Sequence, residues 1–119
     1  MLQHVSIEVP PGEADRSIEF WGLIGFRQVD APGPLGDSVT WLERNGTQIH
    51  LILTEGHTAP VLGHAAVVVP DHGEAKRRLR DAGFDVEDAR ELWGADRAFA
   101  IAPGGHRVEL MASPPPASS

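Results

Sequence analysis

Hydrophobic and polar residues alternate along two short stretches that lie about sixty positions apart in the chain. Residues 4–10 read HVSIEVP and residues 64–70 read HAAVVVP, so each starts with a histidine, continues with strand-forming residues and ends at proline. In the first stretch Val5, Ile7 and Val9 face one way and the polar residues face the other, which is the two-residue period of a β-strand. The chain is therefore expected to contain two related strands, each the start of a similar unit.

A helix is predicted after each strand, because apolar residues recur there at positions i, i+4 and i+7 on one helical face. Asp71 with Glu74 three positions later also has the pattern of a capping box at the start of the second helix. A Gly-Phe pair follows each predicted helix. The apolar faces consist of Ala14, Ile18 and Trp21 in the first helix and of Ala75, Leu79 and Ala82 in the second.

Extended segments complete each half. After the first helix the chain continues with an extended segment at 27–30 and with strands at 38–43 and 47–53. Asn45-Gly46 predicts a tight hairpin between these last two strands, because both residues accept a positive φ. The second half closes with strands at 97–102 and 107–111, and we expect the β-α-β-β-β order of the first half to recur in it.

The spacing of matching residues indicates an internal duplication. His4 and His64 are 60 positions apart, Gly25 and Gly83 are 58 apart, and His50 and Glu109 are 59 apart. We therefore predict an α+β fold of two tandem β-α-β-β-β units, each a curved mixed sheet with a helix on its outer face, paired around a cavity. The units are expected at 1–53 and 64–112 of one domain, with a connector at 54–63 and a disordered, proline-rich tail at 113–119.

Composition narrows the classes of function. The chain has 119 residues, 41% of them hydrophobic and 23% charged, as expected of one globular domain. A net charge of −7 argues against nucleic-acid binding. No apolar run approaches the roughly 18 residues that span a bilayer, and no signal-peptide pattern is present, so we expect a cytoplasmic protein without a membrane segment. The absence of cysteine excludes disulfides and thiolate ligands.

Four polar residues occupy equivalent strand positions in the two predicted units. If the first and last strands of each unit pair, the first histidine approaches the polar residue of the last strand, and all four converge if the units face each other. A strand histidine is more often an ordinary polar residue, but the duplication and the cost of burying an unpaired charge favour coordination. Three imidazoles and one carboxylate suit Zn²⁺, Ni²⁺, Mn²⁺ or Fe²⁺. The four candidate ligands are His4, His50, His64 and Glu109.

The other three histidines are expected to be exposed to solvent. His57 lies in the connector, His72 in the first turn of the second helix, and His106 in a glycine-rich turn. None of them is predicted to belong to the metal site.

Several motifs carry a resemblance to a known family: HVSI at 4–7, GTQIHL at 46–51, Gly-His-Ala at 63–65 and PGGHRVEL at 103–110. Across residues 2–112 the chain resembles the vicinal oxygen chelate superfamily, which includes glyoxalase I, fosfomycin resistance enzymes, extradiol dioxygenases, methylmalonyl-CoA epimerase and bleomycin resistance proteins. The resemblance implies that the four candidate ligands hold a divalent metal, and that a small substrate binds to this metal through its oxygens.

The resemblance favours lyase or isomerase chemistry of the glyoxalase I kind, with Glu109 as both ligand and catalytic proton carrier. His50 departs from this pattern, because glyoxalase-like members usually have glutamate there. An Fe²⁺ extradiol-type dioxygenase is an alternative, since His4, His64 and Glu109 would supply two histidines and one carboxylate, although the chain lacks tyrosine. A non-catalytic protein that binds an antibiotic and confers resistance is the other alternative.

Three further residues are candidates for substrate binding. Arg97 and Phe99 share a face of one predicted strand, and Trp41 lies on the corresponding strand of the first half. The aromatic rings could instead pack in the core. Arg97 could bind a carboxylate or phosphonate of the substrate, or could face water.

The short connector indicates how the chain assembles. Only 13 residues separate His50 from His64, and relatives with short connectors often complete each site with a second chain. We therefore predict a homodimer in which each site takes His4 and His50 from one chain and His64 and Glu109 from the other.

Overall fold

A computed structural model describes residues 1–117 of the chain. Residues 113–117 are exposed and have no regular secondary structure, whereas residues 118–119 of the predicted disordered tail lie outside the described residues. The chain divides into two compact units, Met1–Pro60 with Pro103–Gly105 and Val61–Ala102 with His106–Ser119. No helix within residues 1–117 is long and apolar enough to cross a membrane.

The first unit contains one helix and a four-stranded sheet. Its strands lie in the order β1-β4-β3-β2, with β1 parallel to β4 and the other neighbours antiparallel. Asn45 and Gly46 adopt φ values of 51° and 84° between β3 and β4, which confirms the predicted tight turn. The elements are β1 (His4–Val9), α1 (Ala14–Gly22), β2 (Arg27–Val29), β3 (Val39–Arg44) and β4 (Thr47–Leu53).

The second unit repeats this arrangement. Its strands lie in the order β5-β8-β7-β6, and β5 is parallel to β8. Together the units confirm the predicted α+β fold of two β-α-β-β-β units. The elements are β5 (His64–Val68), α2 (His72–Asp81), β6 (Val86–Ala89), β7 (Arg97–Ala102) and β8 (His106–Met111).

Both helices end in the same way. Gly25 and Gly83 have φ values of 101° and 90°. The N–H of Phe26 donates to the carbonyl of Trp21, and the N–H of Phe84 donates to the carbonyl of Leu79, each at 3.0 Å. These bonds reach back five residues and are those of a Schellman motif, so the repeated Gly-Phe pair is a shared helix C-terminus.

The start of α2 differs from the prediction. Asp71 stands at the N-cap position, but its side chain makes no capping hydrogen bond, so the predicted capping box is wrong. The Glu74 carboxylate binds the Arg77 guanidinium instead. A capping box needs the same carboxylate, which here is paired with Arg77.

The burial of two histidines also differs from the prediction. His72 is only 4% exposed and His106 only 7% exposed, so the expectation that both face solvent is wrong. His72 lies on the same buried helical face as Ala75 and Leu79, and its Nε2 donates to the Leu110 carbonyl at 3.1 Å. His57 is partly buried and its Nε2 lies 3.1 Å from the Gly104 carbonyl oxygen.

The face of α1 is rotated relative to the predicted one. Ser17, Phe20 and Trp21 are its buried residues, whereas Ile18 is only partly buried. The Ser17 hydroxyl donates to the Glu13 carbonyl at 2.8 Å, which allows this polar side chain to lie on the inner face.

Candidate functional site

Strand register brings equivalent side chains together on one face of each sheet. Trp41 of β3 is paired with His50 of β4, and Phe99 of β7 is paired with Glu109 of β8. The histidines that open β1 and β5 pair with positions two residues before His50 and Glu109, and therefore lie on the same face. Each unit thus carries a histidine, a second potential ligand and an aromatic ring as neighbours.

In the first unit these three side chains form a stack. The rings of His4 and His50 are 4.0 Å apart between centroids and 16° from parallel. Trp41 covers the ring of His50 at 4.0 Å and 0°. His50 is only 8% exposed, whereas His4 lies at the exposed end of the stack. The expected approach of His4 to His50 is therefore observed, and Trp41 packs against the candidate ligand.

A chain of hydrogen bonds fixes the orientation of His50. The amide nitrogen of Gln48 donates to the Glu43 carboxylate at 3.0 Å, so the amide oxygen of Gln48 is directed to His50 Nε2 at 2.7 Å. Because an amide oxygen only accepts, His50 Nε2 carries the hydrogen and Nδ1 carries the lone pair. His4 Nδ1 lies 2.6 Å from the Gln3 side-chain oxygen, which leaves Nε2 of His4 as its free nitrogen.

The stack also affects the charge of His50. Burial lowers the pKa of His50 below its ordinary value of 6.5, and the positive charge that His4 can carry lowers it further. Neutral imidazole is the form that binds a metal ion. At pH 7 the environment therefore favours the form of His50 that coordination requires.

The lowered pKa of His50 predicts a pH-dependent stability. As the pH falls below about 6.5, the unfolded chain takes up this proton before the folded chain does, so the free energy of unfolding should fall by up to about 1.4 kcal/mol per pH unit. Urea unfolding of metal-free protein between pH 7.5 and 5 measures this loss. The variant His50→Gln should lose less stability over the same range. Equal losses in the two proteins would contradict the prediction.

In the second unit Glu109 is buried between a cation and a histidine. It is 6% exposed, its Oε2 accepts a hydrogen bond from Arg97 Nε at 2.8 Å, and its Oε1 lies 3.0 Å from His64 Nε2. Arg97 also donates to the Arg90 carbonyl at 2.6 Å, and its side chain is only 11% exposed. Arg97 therefore does not face water, and its charge is paired with that of Glu109.

The hydrogen bonds of His64 determine which of its nitrogens can bind a ligand. Nδ1 lies 2.9 Å from the Leu62 carbonyl oxygen, which can only accept, so Nδ1 carries a hydrogen. Neutral His64 would then direct the lone pair of Nε2 at the carboxylate oxygen of Glu109, and this contact needs a cation to be favourable. Either a second proton on His64 or a metal ion would satisfy it.

The donor atoms fit a metal ion better in the second unit than in the first. His64 Nε2 and Glu109 Oε1 lie 3.0 Å apart, so both atoms could bind one metal ion after a small movement. A metal ion binds an imidazole nitrogen in the plane of the ring. The rings of His4 and His50 are nearly parallel, so in this arrangement one ion cannot lie in both planes. Within residues 1–117 no three histidine, aspartate or glutamate side chains form a group that could hold a metal ion.

Phe99 connects the Glu109 cluster with the rest of its sheet face. Its ring meets the edge of His64 at 5.1 Å, and the guanidinium carbons of Arg97 and Arg107 lie 5.8 Å and 4.3 Å from its centre. Trp93 also contacts the Arg97 guanidinium, at 5.5 Å. Phe99 is therefore a neighbour of the candidate ligands and is not confined to the core.

Known proteins resemble this chain in their structures. No protein-family model matches the sequence, and no curated protein does. Solved structures do match. A glyoxalase family protein from Bacillus anthracis is 25% identical over 93% of each chain, with a TM-score of 0.83. The fosfomycin resistance protein FosX from Listeria monocytogenes is 14% identical over 96% of this chain and 91% of its own, with a TM-score of 0.77.

A third similar structure is a bleomycin-binding protein in complex with bleomycin. It is 16% identical over 92% of this chain and 98% of its own, with a TM-score of 0.63. The chain has the glyoxalase-like fold of the vicinal oxygen chelate superfamily.

Several groups of the site were not identified from the sequence. Gln48 and Glu43 orient His50, the Leu62 carbonyl orients His64, and Arg107 covers Phe99. Gln48 and Arg107 each lie two residues before a candidate ligand. This spacing places them on the same strand face as the ligand, and it can be read from the sequence. The Leu62 carbonyl left no such signal, because any residue can supply a backbone oxygen.

Proposed function

We propose that the protein is a metal-dependent enzyme of the vicinal oxygen chelate superfamily. Its ligands are His4, His50, His64 and Glu109, and it catalyses a lyase or isomerase reaction of the glyoxalase I kind on a small, oxygen-bearing substrate. The observation that carries the proposal is the contact between His64 Nε2 and Glu109 Oε1 at 3.0 Å, with the tautomer of His64 set by the Leu62 carbonyl.

The residues present support a role for each part of the proposed site. A bound Zn²⁺, Ni²⁺, Mn²⁺ or Fe²⁺ would supply Lewis-acid stabilisation of negative charge on the substrate. Glu109 can bind a metal ion only through Oε1, because Oε2 accepts a hydrogen bond from Arg97. The same carboxylate is the proton carrier, and Arg97 keeps it in one orientation. His4 and His64 each donate a hydrogen bond through Nδ1, to the Gln3 side-chain oxygen and to the Leu62 carbonyl, which leaves Nε2 of both rings to bind a metal ion.

We infer that the complete site is shared by two chains of a homodimer. The candidate ligands lie as two pairs, His4 with His50 in one unit and His64 with Glu109 in the other. Each site then takes the first pair from one chain and the second pair from the partner.

A metal-free binding protein is the second candidate. It is favoured by the Arg97–Glu109 ion pair, which neutralises the buried carboxylate without a metal. The metal content of the purified protein separates the two candidates. Bound Zn or Ni supports the proposed lyase or isomerase, bound Fe supports the dioxygenase, and no metal supports binding alone. A screen with methylglyoxal–thiol adducts, catechols and fosfomycin then tests the reaction.

Replacing His64 should weaken metal binding strongly. His64→Ala is expected to lower the affinity for Zn²⁺ or Ni²⁺ at least about tenfold, because it removes an oriented nitrogen ligand. His57→Ala is the matched control, since His57 contacts the Gly104 carbonyl and lies outside the ligand set. Calorimetric titration of metal into EDTA-treated protein gives both affinities. Equal affinities in the two variants would remove His64 from the site.

The same titration decides the role of His50. His50→Ala should weaken metal binding if its Nδ1 coordinates the ion. Because the ring is nearly parallel to His4 and covered by Trp41, coordination requires the stack to open. Unchanged stoichiometry and affinity would leave His4, His64 and Glu109 as the ligands and place His50 among the residues that support them.

A further inference from the structure

A groove of about 440 Å³ lies on the sheet of the second unit, beside Phe99. The aromatic ring forms part of its wall, and the same ring contacts the edge of His64 at 5.1 Å. Arg107, which also lines the groove, is paired with His64 in the ladder of β5 and β8, so the groove lies beside the His64–Glu109 pair. The lining residues are Asp85, Val86, Glu87, Phe99, Ile101 and Arg107.

Arg107 is the cationic group of this groove. Its guanidinium carbon lies 4.3 Å from the centre of the Phe99 ring. Among the described residues its side chain makes no hydrogen bond and no ion pair, whereas Arg97 is held by Glu109 and by the Arg90 carbonyl. The stack on Phe99 covers one side of the guanidinium and leaves its N–H groups available to a ligand.

The position of Arg107 on its strand relates it to the proposed catalytic carboxylate. Arg107 and Glu109 are two residues apart on β8, so their side chains leave the same face of the sheet. Ile101 is paired with Arg107, as Phe99 is with Glu109. The groove thus combines an unpaired cation with an apolar surface from Phe99 and Ile101.

We propose that this groove binds the carboxylate of a small, flat organic monoanion, with Arg107 as the anion-binding residue and Phe99 and Ile101 against its apolar body. A guanidinium matches a carboxylate through two parallel hydrogen bonds. Asp85 and Glu87 line the same groove, and they repel a doubly charged ligand such as a phosphonate more strongly than a monoanion, whose single charge Arg107 can pair. The inference rests on the proposed function only in assigning this anion to the substrate of the same site.

Benzoate is a suitable probe, with benzamidine and phenylphosphonate as its cationic and doubly charged counterparts. Calorimetric titration uses the full-length protein after EDTA treatment, so that the result does not depend on a bound metal. We expect saturable binding of benzoate and weaker binding of the other two. No benzoate binding, or tighter binding of benzamidine or phenylphosphonate, would overturn the proposal.

Substitution of Arg107 tests the residue itself. Arg107→Met should weaken benzoate binding about tenfold or more, the usual effect of losing hydrogen bonds from a charged group. Arg90→Met is the matched control, because Arg90 is an exposed arginine of the same unit and its removal changes the net charge equally. Arg107→Lys retains the charge without the planar fork and should bind benzoate less tightly than the wild type. Equal affinity in the Met variants, or no loss in Arg107→Lys, would overturn the assignment.

Metal titration of the same variants separates this inference from the proposed function. Arg107→Met should still bind Zn²⁺ or Ni²⁺, because Arg107 is paired with His64 in the strand ladder but its side chain stacks on Phe99 and supplies no candidate ligand atom. Benzoate binding without metal binding would reject the metal-dependent enzyme and retain the groove. Metal binding without benzoate binding would reject the groove and retain the metal-dependent enzyme.

Discussion

Glu109→Leu is expected to destabilise the protein by about 3 kcal/mol, because it leaves a buried guanidinium without its carboxylate. Arg97 is only 11% exposed, and the Arg90 carbonyl cannot neutralise its charge. Urea unfolding of metal-free protein at pH 7 and at one fixed protein concentration measures the loss. A more exposed ion pair provides the comparison: Lys76→Met breaks the contact with Asp88, whose side chain is 65% exposed, and should cost less than about 1 kcal/mol.

A double variant distinguishes the loss of the pair from damage to packing. Glu109→Leu with Arg97→Met replaces both charges by apolar side chains and should regain most of the stability that Glu109→Leu loses. The coupling arises because the single change removes one partner and leaves the other charge buried. If the stability losses of the single variants Glu109→Leu and Arg97→Met simply add up in the double variant, the 2.8 Å contact does not stabilise the folded chain.

The repeated order of strands and helices could be predicted because each of its signals is local. The alternation in β1, the Asn45-Gly46 turn and the Gly-Phe helix ends each depend on a few neighbouring residues. The strand β6 (Val86–Ala89) was not identified, because two of its four residues are acidic and it lies at the sheet edge. Short polar edge strands have no apolar alternation to detect.

The ion pairs of the site could not be predicted in the same way, because they depend on register. Phe99, and not Arg97, lies opposite Glu109 in the ladder, and Arg97 is paired with Met111. Arg97 reaches the carboxylate diagonally, which long side chains can do between neighbouring strands. The sequence therefore identified Glu109 and Arg97 as candidates but did not indicate that each neutralises the other.

The burial of His72 shows a related limit. A histidine in the first turn of a helix is ordinarily exposed, and the sequence supports that expectation. Its position three residues before Ala75 and seven before Leu79 nevertheless places it on the inner face. The Leu110 carbonyl that accepts its hydrogen bond comes from a strand 38 positions away. A distant backbone oxygen of this kind has no sequence signal.

If the site is shared between chains, two variants that each fail to bind metal should recover metal binding when they are mixed. His4→Ala damages the first ligand pair, and Glu109→Gln damages the second while retaining an oxygen for Arg97. Each homodimer then lacks an intact site. A mixed dimer combines the intact first pair of one chain with the intact second pair of the other, and so regains one site.

The expected recovery has a definite size. Random exchange makes half of the dimers mixed, and each mixed dimer has one intact site of two, so about a quarter of the wild-type metal content should return. Mixing His64→Ala with Glu109→Gln is the control, because both changes affect the second pair and no combination rebuilds a site. Recovery in the first mixture but not in the second would support shared sites. If neither mixture recovers although the wild type binds metal, or if light scattering shows a monomer, then the ligands cannot come from two chains of a homodimer.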